Sequence, residues 1–363
     1  MSPVSAAPAP HGSGARWVCA AFGSGPPSGA RGGVTVLARD QESGALHDTG
    51  WKVPLPAAAY LAIRPQGTHV YVADETADGR VVALRLRPER APAWSSECGS
   101  GGAEPCYIAV HPSGGLLAAA NYGSGSVALL RIGPDGELAD VTDVVPGGGS
   151  GPDRERQNGP HPHCAAFLPS GRHLIVADLG TDTVSSYTVD TGRGRLIAAG
   201  RVTVPAGCGP RHVVSADGVL YVTGELDSSV LALPFDAASG SIGLPSVTGA
   251  SQRGTVDRNY PSDIVSSPTG RHCYVANRGA DTVTMLTRHG QRLTLAAEIP
   301  SGGQWPVQLA RTGGHLYIAN QHSDSIAQFA LGPSEIPTPQ PSALTLPRPA
   351  CLLPLPRGTA MSG

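Results

Sequence analysis

Ala166-Phe167-Leu168-Pro169-Ser170-Gly171 is followed, one residue later, by His173-Leu174-Ile175-Val176-Ala177-Asp178. An apolar run, a Pro-x-Gly turn and a second apolar run closed by a polar residue read as two strands of a hairpin. Glycine supplies the turn's backbone freedom, and proline cannot continue a central strand. An alternating run, Thr183-Val184-Ser185-Ser186-Tyr187, then reads as a third strand. The same phrase recurs upstream. Ala62-Ile63-Arg64-Pro65-Gln66-Gly67 precedes His69-Val70-Tyr71-Val72-Ala73-Asp74, and Ala109-Val110-His111-Pro112-Ser113-Gly114 precedes Leu116-Leu117-Ala118-Ala119-Ala120-Asn121. Three further copies turn at Gly218, Gly270 and Gly314 and end at Glu225, Asn277 and Asn320. The turn glycine precedes its polar terminator by seven residues in five copies and by six in the last.

Successive turn glycines lie 47, 57, 47, 52 and 44 residues apart. A β-meander with a period near 50 is too long for a leucine-rich repeat, and four-stranded units of that length describe a β-propeller. The ends set the number of blades. Trp17-Val18-Cys19-Ala20-Ala21 has no Pro-x-Gly hairpin before it, but a third strand (Val34-Thr35-Val36-Leu37) and a fourth around Trp51 follow. Ala350-Cys351-Leu352-Leu353, near the other end, reads as an inner strand with nothing after it. Joining the two ends gives a seventh blade and leaves no open sheet edge. The expectation is therefore an all-β, seven-bladed propeller over residues 16–356, with a disordered or extended segment at 1–15 and a tail at 357–363. The glycine-rich stretch from Pro146 to Pro160 accounts for the 57-residue interval as an inserted loop. It is no Walker loop, since no Gly-Lys-Ser/Thr follows.

Composition agrees with this organisation. The 363 residues include 48 glycines and 34 prolines, a burden that argues against a helical bundle, yet 40% are apolar, too many for a disordered chain. A net charge of −2 with 15% charged residues provides no basic field for nucleic acid or an anionic membrane. No stretch approaches the roughly 18 apolar residues of a membrane span, and residues 1–14 lack the n- and h-regions of a signal peptide. Seven cysteines, an odd number without a C-x-x-C pair, point to a reducing, cytoplasmic setting. The expected state is a monomer or weak homo-oligomer.

In a propeller blade the innermost strand runs antiparallel to the next, so the start of the first and the end of the second meet on one face around the channel. The starts read His161-Pro162-His163, Pro210-Arg211-His212, Pro261-Ser262-Asp263 and Trp305-Pro306-Val307-Gln308. The ends read Asp178-Leu179-Gly180, Glu225-Leu226-Asp227, Asn277-Arg278-Gly279 and Asn320-Gln321-His322. Titratable groups of both signs thus converge on one mouth, a place suited to acid–base work on an anionic substrate. Asp74, Asn121, Asp178 and Asn320 read as turn formers that bond backbone. No His/Cys/Asp cluster has metal-ligand spacing, so no metal or other cofactor is expected. Cys164 and Cys208, set among apolar neighbours, read as buried structural thiols, and without a Gly-x-Ser-x-Gly elbow a serine nucleophile lacks support.

At these residues the chain resembles the seven-bladed propeller lactonases, which include the cycloisomerase-type 6-phosphogluconolactonases and the fungal 3-carboxy-cis,cis-muconate lactonising enzyme. The resemblance spans nearly the whole chain. It is carried by Pro160-His161-Pro162-His163, Gly209-Pro210-Arg211-His212, Glu225-Leu226-Asp227-Ser228-Ser229-Val230 and Ala276-Asn277-Arg278-Gly279. It implies a catalytic set of His163, Arg211, Glu225 and Arg278. Independently of it, His161, His212 and Asp263 are read from their places at the strand starts as candidate substrate contacts, the last two alternatively as supports behind the catalytic residues. Two departures fall in the substrate region: Val307 stands where relatives often carry arginine, and the first strand ends Ala21-Phe22-Gly23-Ser24.

The leading expectation is hydrolysis of a small anionic lactone such as a 6-phosphogluconolactone-like sugar lactone. The arginines would hold the anion and the oxyanion, and His163 or Glu225 would be the base. A muconate-lactonising cycloisomerase acting on an unsaturated carboxylate, and a non-catalytic binding propeller, are the alternatives.

Overall fold

The computed structural model describes residues 16–23, 32–87, 90–252 and 258–356; the segments expected at 1–15 and 357–363 lie outside them. The described residues form seven four-stranded antiparallel sheets. Six follow chain order. Blade one comprises Ala58–Ile63, His69–Asp74, Arg80–Arg85 and Ala93–Gly99, and blade two Pro105–Val110, Leu116–Asn121, Ser126–Ile132 and Leu138–Pro146. Blades three to six begin at the inner strands Pro162–Phe167, Pro210–Ala216, Tyr260–Ser266 and Pro306–Thr312. The remaining sheet joins both ends of the chain. Its inner strand Pro349–Pro354 pairs with Arg16–Phe22, which pairs with Gly33–Arg39 and then Leu46–Pro54. Cys351 lies opposite Ala21 and Leu353 opposite Cys19.

Each inner strand packs beside the next, and Pro349–Pro354 packs beside both Pro306–Thr312 and Ala58–Ile63. Among the described residues seven apolar clusters form, one at every blade-to-blade interface. Val34, Val36, Leu61 and Val70 join blades seven and one, for example, and Leu37, Tyr317 and Leu352 join six and seven. Four second strands, among them His69–Asp74 and Val219–Gly224, are buried along their whole length, because blades cover both faces. Their near-continuous apolar runs follow from that position. Outer strands alternate or are largely exposed, as in Leu138–Pro146.

Polar tethers repeat between blades. Buried Tyr71, Tyr221, Tyr274 and Tyr317 each donate the phenol hydrogen to a carbonyl of the following blade's outer turn, at Gly136, Gly290, Glu335 and Gly44. A large ring thus fills the interface while its hydroxyl finds a partner at the rim.

Two hairpins are shorter than the others. Blade four turns on Asp217 (φ 50) and Gly218 (φ 74), and blade six on Gly313 (φ 56) and Gly314 (φ 79). Two consecutive left-handed residues make the tight turn that matches strand twist. The shortening slips the repeat by one residue. Pro210 pairs with Gly224, just as Pro162 pairs with Asp178 and Pro261 with Asn277. The terminator of blade four is therefore Gly224, not Glu225, which occupies the next position.

Candidate active site

Every inner strand carries a β-bulge within its first residues, after the second residue in blade five and after the first in the others. Pairing skips Ala59, Cys106, His163, Val307 and Ala350 singly, and Arg211-His212 and Ser262-Asp263 as pairs. A bulge leaves a residue out of the ladder and re-aims its side chain. Seven bulges thus make one ring of positions. A second ring lies where each second strand ends. The N–H of Glu75 donates to Ala57 O, that of Tyr122 to Glu104 O, that of Leu179 to His161 O, and that of Glu225 to Gly209 O. Gln321 and Gly23 make the same bond to Trp305 and Arg348, and Arg278 pairs with Tyr260 in blade five.

These rings surround a cavity of about 340 Å³. The bulge ring contributes Ala59, Cys106, His163, Arg211, Val307 and Ala350; the other contributes Gly23, Glu75, Arg278 and Gln321. Tyr60, His212 and Gln308 also line it and separate it from a second cavity of about 340 Å³ around Asp263, Ser266 and Arg311.

Glu225 organises the cations but does not itself line the cavity. Its side chain is 2% exposed. Oε1 accepts a hydrogen bond from Arg156 Nη2 at 2.7 Å. Oε2 lies 2.9 Å from Arg211 Nε and 2.7 Å from Arg278 Nη2, ion pairs by distance without in-line hydrogen-bond geometry. Burial opposes the carboxylate's charge, but Arg278, Arg211, His163 and Arg156 outweigh it and hold the carboxyl well below the usual range. Arg278 is pulled down to about 10 by burial despite that partner; its guanidinium sits 5.5 Å from the Trp305 ring centroid and Nε donates to Tyr260 O. Arg211 Nη1 donates to Ser262 O.

His163 is pushed well below its ordinary value, first by burial and then by Arg211 and His212, so the ring is neutral at pH 7. Its centroid lies 5.4 Å from that of His212. His212 Nδ1 is 2.8 Å from Asp263 Oδ1, and Asp263 also accepts from the N–H groups of Ile264 and Leu309. Asp263 thereby fixes the His212 ring with Nε2 free. Burial lowers the pKa of His212, with Arg211 adding to it and Asp263 opposing. Glu75 is an exposed residue whose side chain lines the same cavity. Partial loss of solvent there, aided by Glu104 and opposed by Arg211, pushes its carboxyl up to about 7.

His163, Arg211, Arg278 and His212 meet at the cavity, with Glu225 immediately behind the arginines. Asp263 lies behind His212 and faces the second cavity. His161 stands apart: its ring stacks on Tyr122 at 4.5 Å and bonds Tyr122 O and Asn158 Oδ1. Asp178 accepts the N–H groups of His161 and Gly180, a turn role. Cys164 and Cys208 are buried, and burial pushes Cys164 up to about 12. Four contributors escaped sequence reasoning. Arg156 sits in the inserted loop, where no repeat marks it. Arg348 precedes the inner strand of the composite blade, and Glu75 and Gln321 follow Asp74 and Asn320 as Arg278 follows Asn277. Repeat position signals all three. Val307, the departure noted in the sequence, does line the cavity, but Arg348 borders the same space from the next blade.

The profile of a family described as "Lactonase, 7-bladed beta-propeller" matches residues 21–354. The chain belongs to the seven-bladed β-propeller lactonase family. It is 29% identical over 281 residues to a Bacillus subtilis protein named 6-phosphogluconolactonase, covering 76% of this chain and 79% of that one. A Formosa agariphila protein of the same name is 25% identical over 266 residues, covering 70% and 74%. Among solved structures, a Bacteroides fragilis protein, given provisionally as a 6-phosphogluconolactonase, superposes on this lactonase-family chain with a TM-score of 0.85. It has 25% identity and covers 94% of this chain and 98% of that one. The periplasmic gluconolactonase of Pseudomonas aeruginosa shares the fold at a TM-score of 0.86 and 23% identity, covering 94% and 99%. No helix among the described residues is long and apolar enough to cross a membrane.

Proposed function

We propose that this chain hydrolyses a small anionic lactone, with a 6-phosphogluconolactone-like sugar lactone as the leading substrate, in the channel mouth closed by blade seven. The observation that carries the reading is the pair Arg211 and Arg278, oriented by one buried carboxylate toward a cavity that also holds a neutral histidine. A cavity of about 340 Å³ lies within the range of small-molecule sites. Guanidinium groups that keep N–H groups free of Glu225 can bind an anion and stabilise the oxyanion formed when a lactone carbonyl is attacked. Arg348 adds positive charge at the same wall.

Glu225 is a poor base because three cations stabilise its ionised form and it does not face the cavity. Proton acceptance therefore falls to His163. Its neutral ring takes a proton from water as the water oxygen bonds the carbonyl carbon, and the nearby Glu225 and the new oxyanion offset the imidazolium charge. Collapse of the tetrahedral intermediate reforms the carbonyl, breaks the ring C–O bond and releases the hydroxy acid. The names of the relatives in Bacillus and Formosa support the substrate class.

The test is a rate measurement with freshly prepared 6-phosphogluconolactone and with unphosphorylated sugar lactones. Acceleration over buffer supports the reading. Absence of acceleration with every lactone, or carbon-bound deuterium after reaction of an unsaturated carboxylate in heavy water, overturns it in favour of the binding or cycloisomerase alternative.

A further inference from the structure

Glu75 holds, in blade one, the position that Glu225 holds in blade four and Arg278 in blade five. Its N–H donates to Ala57 O at 2.9 Å as that of Glu225 donates to Gly209 O at 2.8 Å. The two glutamates nevertheless face opposite electrostatic conditions. Glu225 is enclosed by three guanidinium groups. Glu75 lines the cavity wall together with His163, Arg211 and Arg278, and its carboxyl accepts no hydrogen bond from the described residues. The groups acting on it are Glu104 from the turn before blade two, Cys106 from the adjacent inner strand, and Arg211 from across the channel. Glu104 opposes its ionisation, Arg211 favours it, and the Cys106 thiol is kept neutral by burial.

We propose that Glu75 is the general acid of this site, delivering its proton to the ring oxygen that departs when the lactone opens. This rests on the hydrolase reading and completes its proton balance. A proton from water goes to His163 as the new C–O bond forms; the ring C–O bond then breaks, and the alkoxide takes the Glu75 proton. His163 returns its proton through solvent, which reprotonates Glu75. Two groups in one cavity driven in opposite directions are how acid and base roles are separated at a single pH. His163 is kept neutral and able to accept, while Glu75 is pushed up to about 7 and is substantially protonated near neutrality.

The experiment compares wild type, E75Q and E75D on the best lactone over pH 5–9, with buffer hydrolysis subtracted and thermal melts confirming that each variant folds. The wild-type kcat/KM should fall above about pH 7, because the acid is lost as Glu75 ionises. E75Q should lower kcat by about 100-fold with KM little changed and should abolish that descending limb. E75D should keep the limb with an intermediate kcat. An active wild type whose E75Q variant keeps its rate, or loses rate but keeps the limb, overturns the role of Glu75 alone. A wild type inactive on every lactone overturns the hydrolase reading and this one with it.

Discussion

Glu225 Oε2 sits 2.9 Å from Arg211 Nε and 2.7 Å from Arg278 Nη2, while Oε1 accepts from Arg156. One carboxylate thus neutralises cations brought together from blades four and five and from the inserted loop. Buried charges of one sign cannot be held together without such a partner. The glutamate therefore organises the site, and the arginines face the substrate.

Glu225→Gln should damage the fold as well as the reaction. Removing one partner of a buried ionic cluster leaves uncompensated charge, at a cost of about 3–5 kcal/mol. Urea unfolding at pH 7 checks this, and unchanged stability would contradict the clamp. The folded pKa lies below the ordinary 4.5, so the stabilisation is present above about pH 4.5 and is lost as pH falls below it. The gap between wild type and Glu225→Gln should therefore narrow in acid.

Arg211→Ala should reduce kcat/KM by at least about 100-fold, the scale of one lost oxyanion donor. Arg211→Lys should recover little, since an ammonium cannot span Glu225, Ser262 O and a substrate oxygen as a planar fork does. Steady-state kinetics of both variants decide the matter, and a fully active lysine variant would sink the bidentate account.

His163→Gln should lower kcat by about 100-fold and remove the ascending limb of the pH profile. That limb should lie below 6.5 in the wild type, because burial and Arg211 disfavour the protonated ring. A wild-type limb well above 6.5 would assign the base to another group.

Tyr274→Phe should cost about 1 kcal/mol by leaving Glu335 O without its donor, with little effect on kcat. Chemical denaturation measures this directly. A large loss of rate at unchanged stability would mean that the inter-blade tethers transmit to the channel.

Much of this architecture was legible in the chain because the Pro-x-Gly hairpins repeat and glycine at those turns is physically required. The orphan strand around Cys351 likewise revealed the composite blade. His163, Arg211 and Arg278 were legible because each sits beside a strand-starting proline or a strand-ending asparagine. Glu75 was hidden by the turn lengths. Counting from Gly218 aligned Glu225 with Asp74, whereas the two-residue turn at Asp217-Gly218 shifts blade four by one and aligns Glu225 with Glu75. The bulges at His163, Arg211 and Val307 were invisible too, since a register slip arises only where two strands meet. Arg156 lies in a loop with no counterpart in the other blades, and only tertiary structure brings it to Glu225.

The central claim is that the arginine-lined mouth opens an anionic lactone. Its most direct measurement is the initial rate of 6-phosphogluconolactone opening, over buffer, by wild type and Arg211→Ala side by side near pH 6.5. The account predicts clear acceleration by wild type and a loss of at least about 100-fold in the variant. Equal rates for the two proteins, or a wild type no faster than buffer, would contradict it.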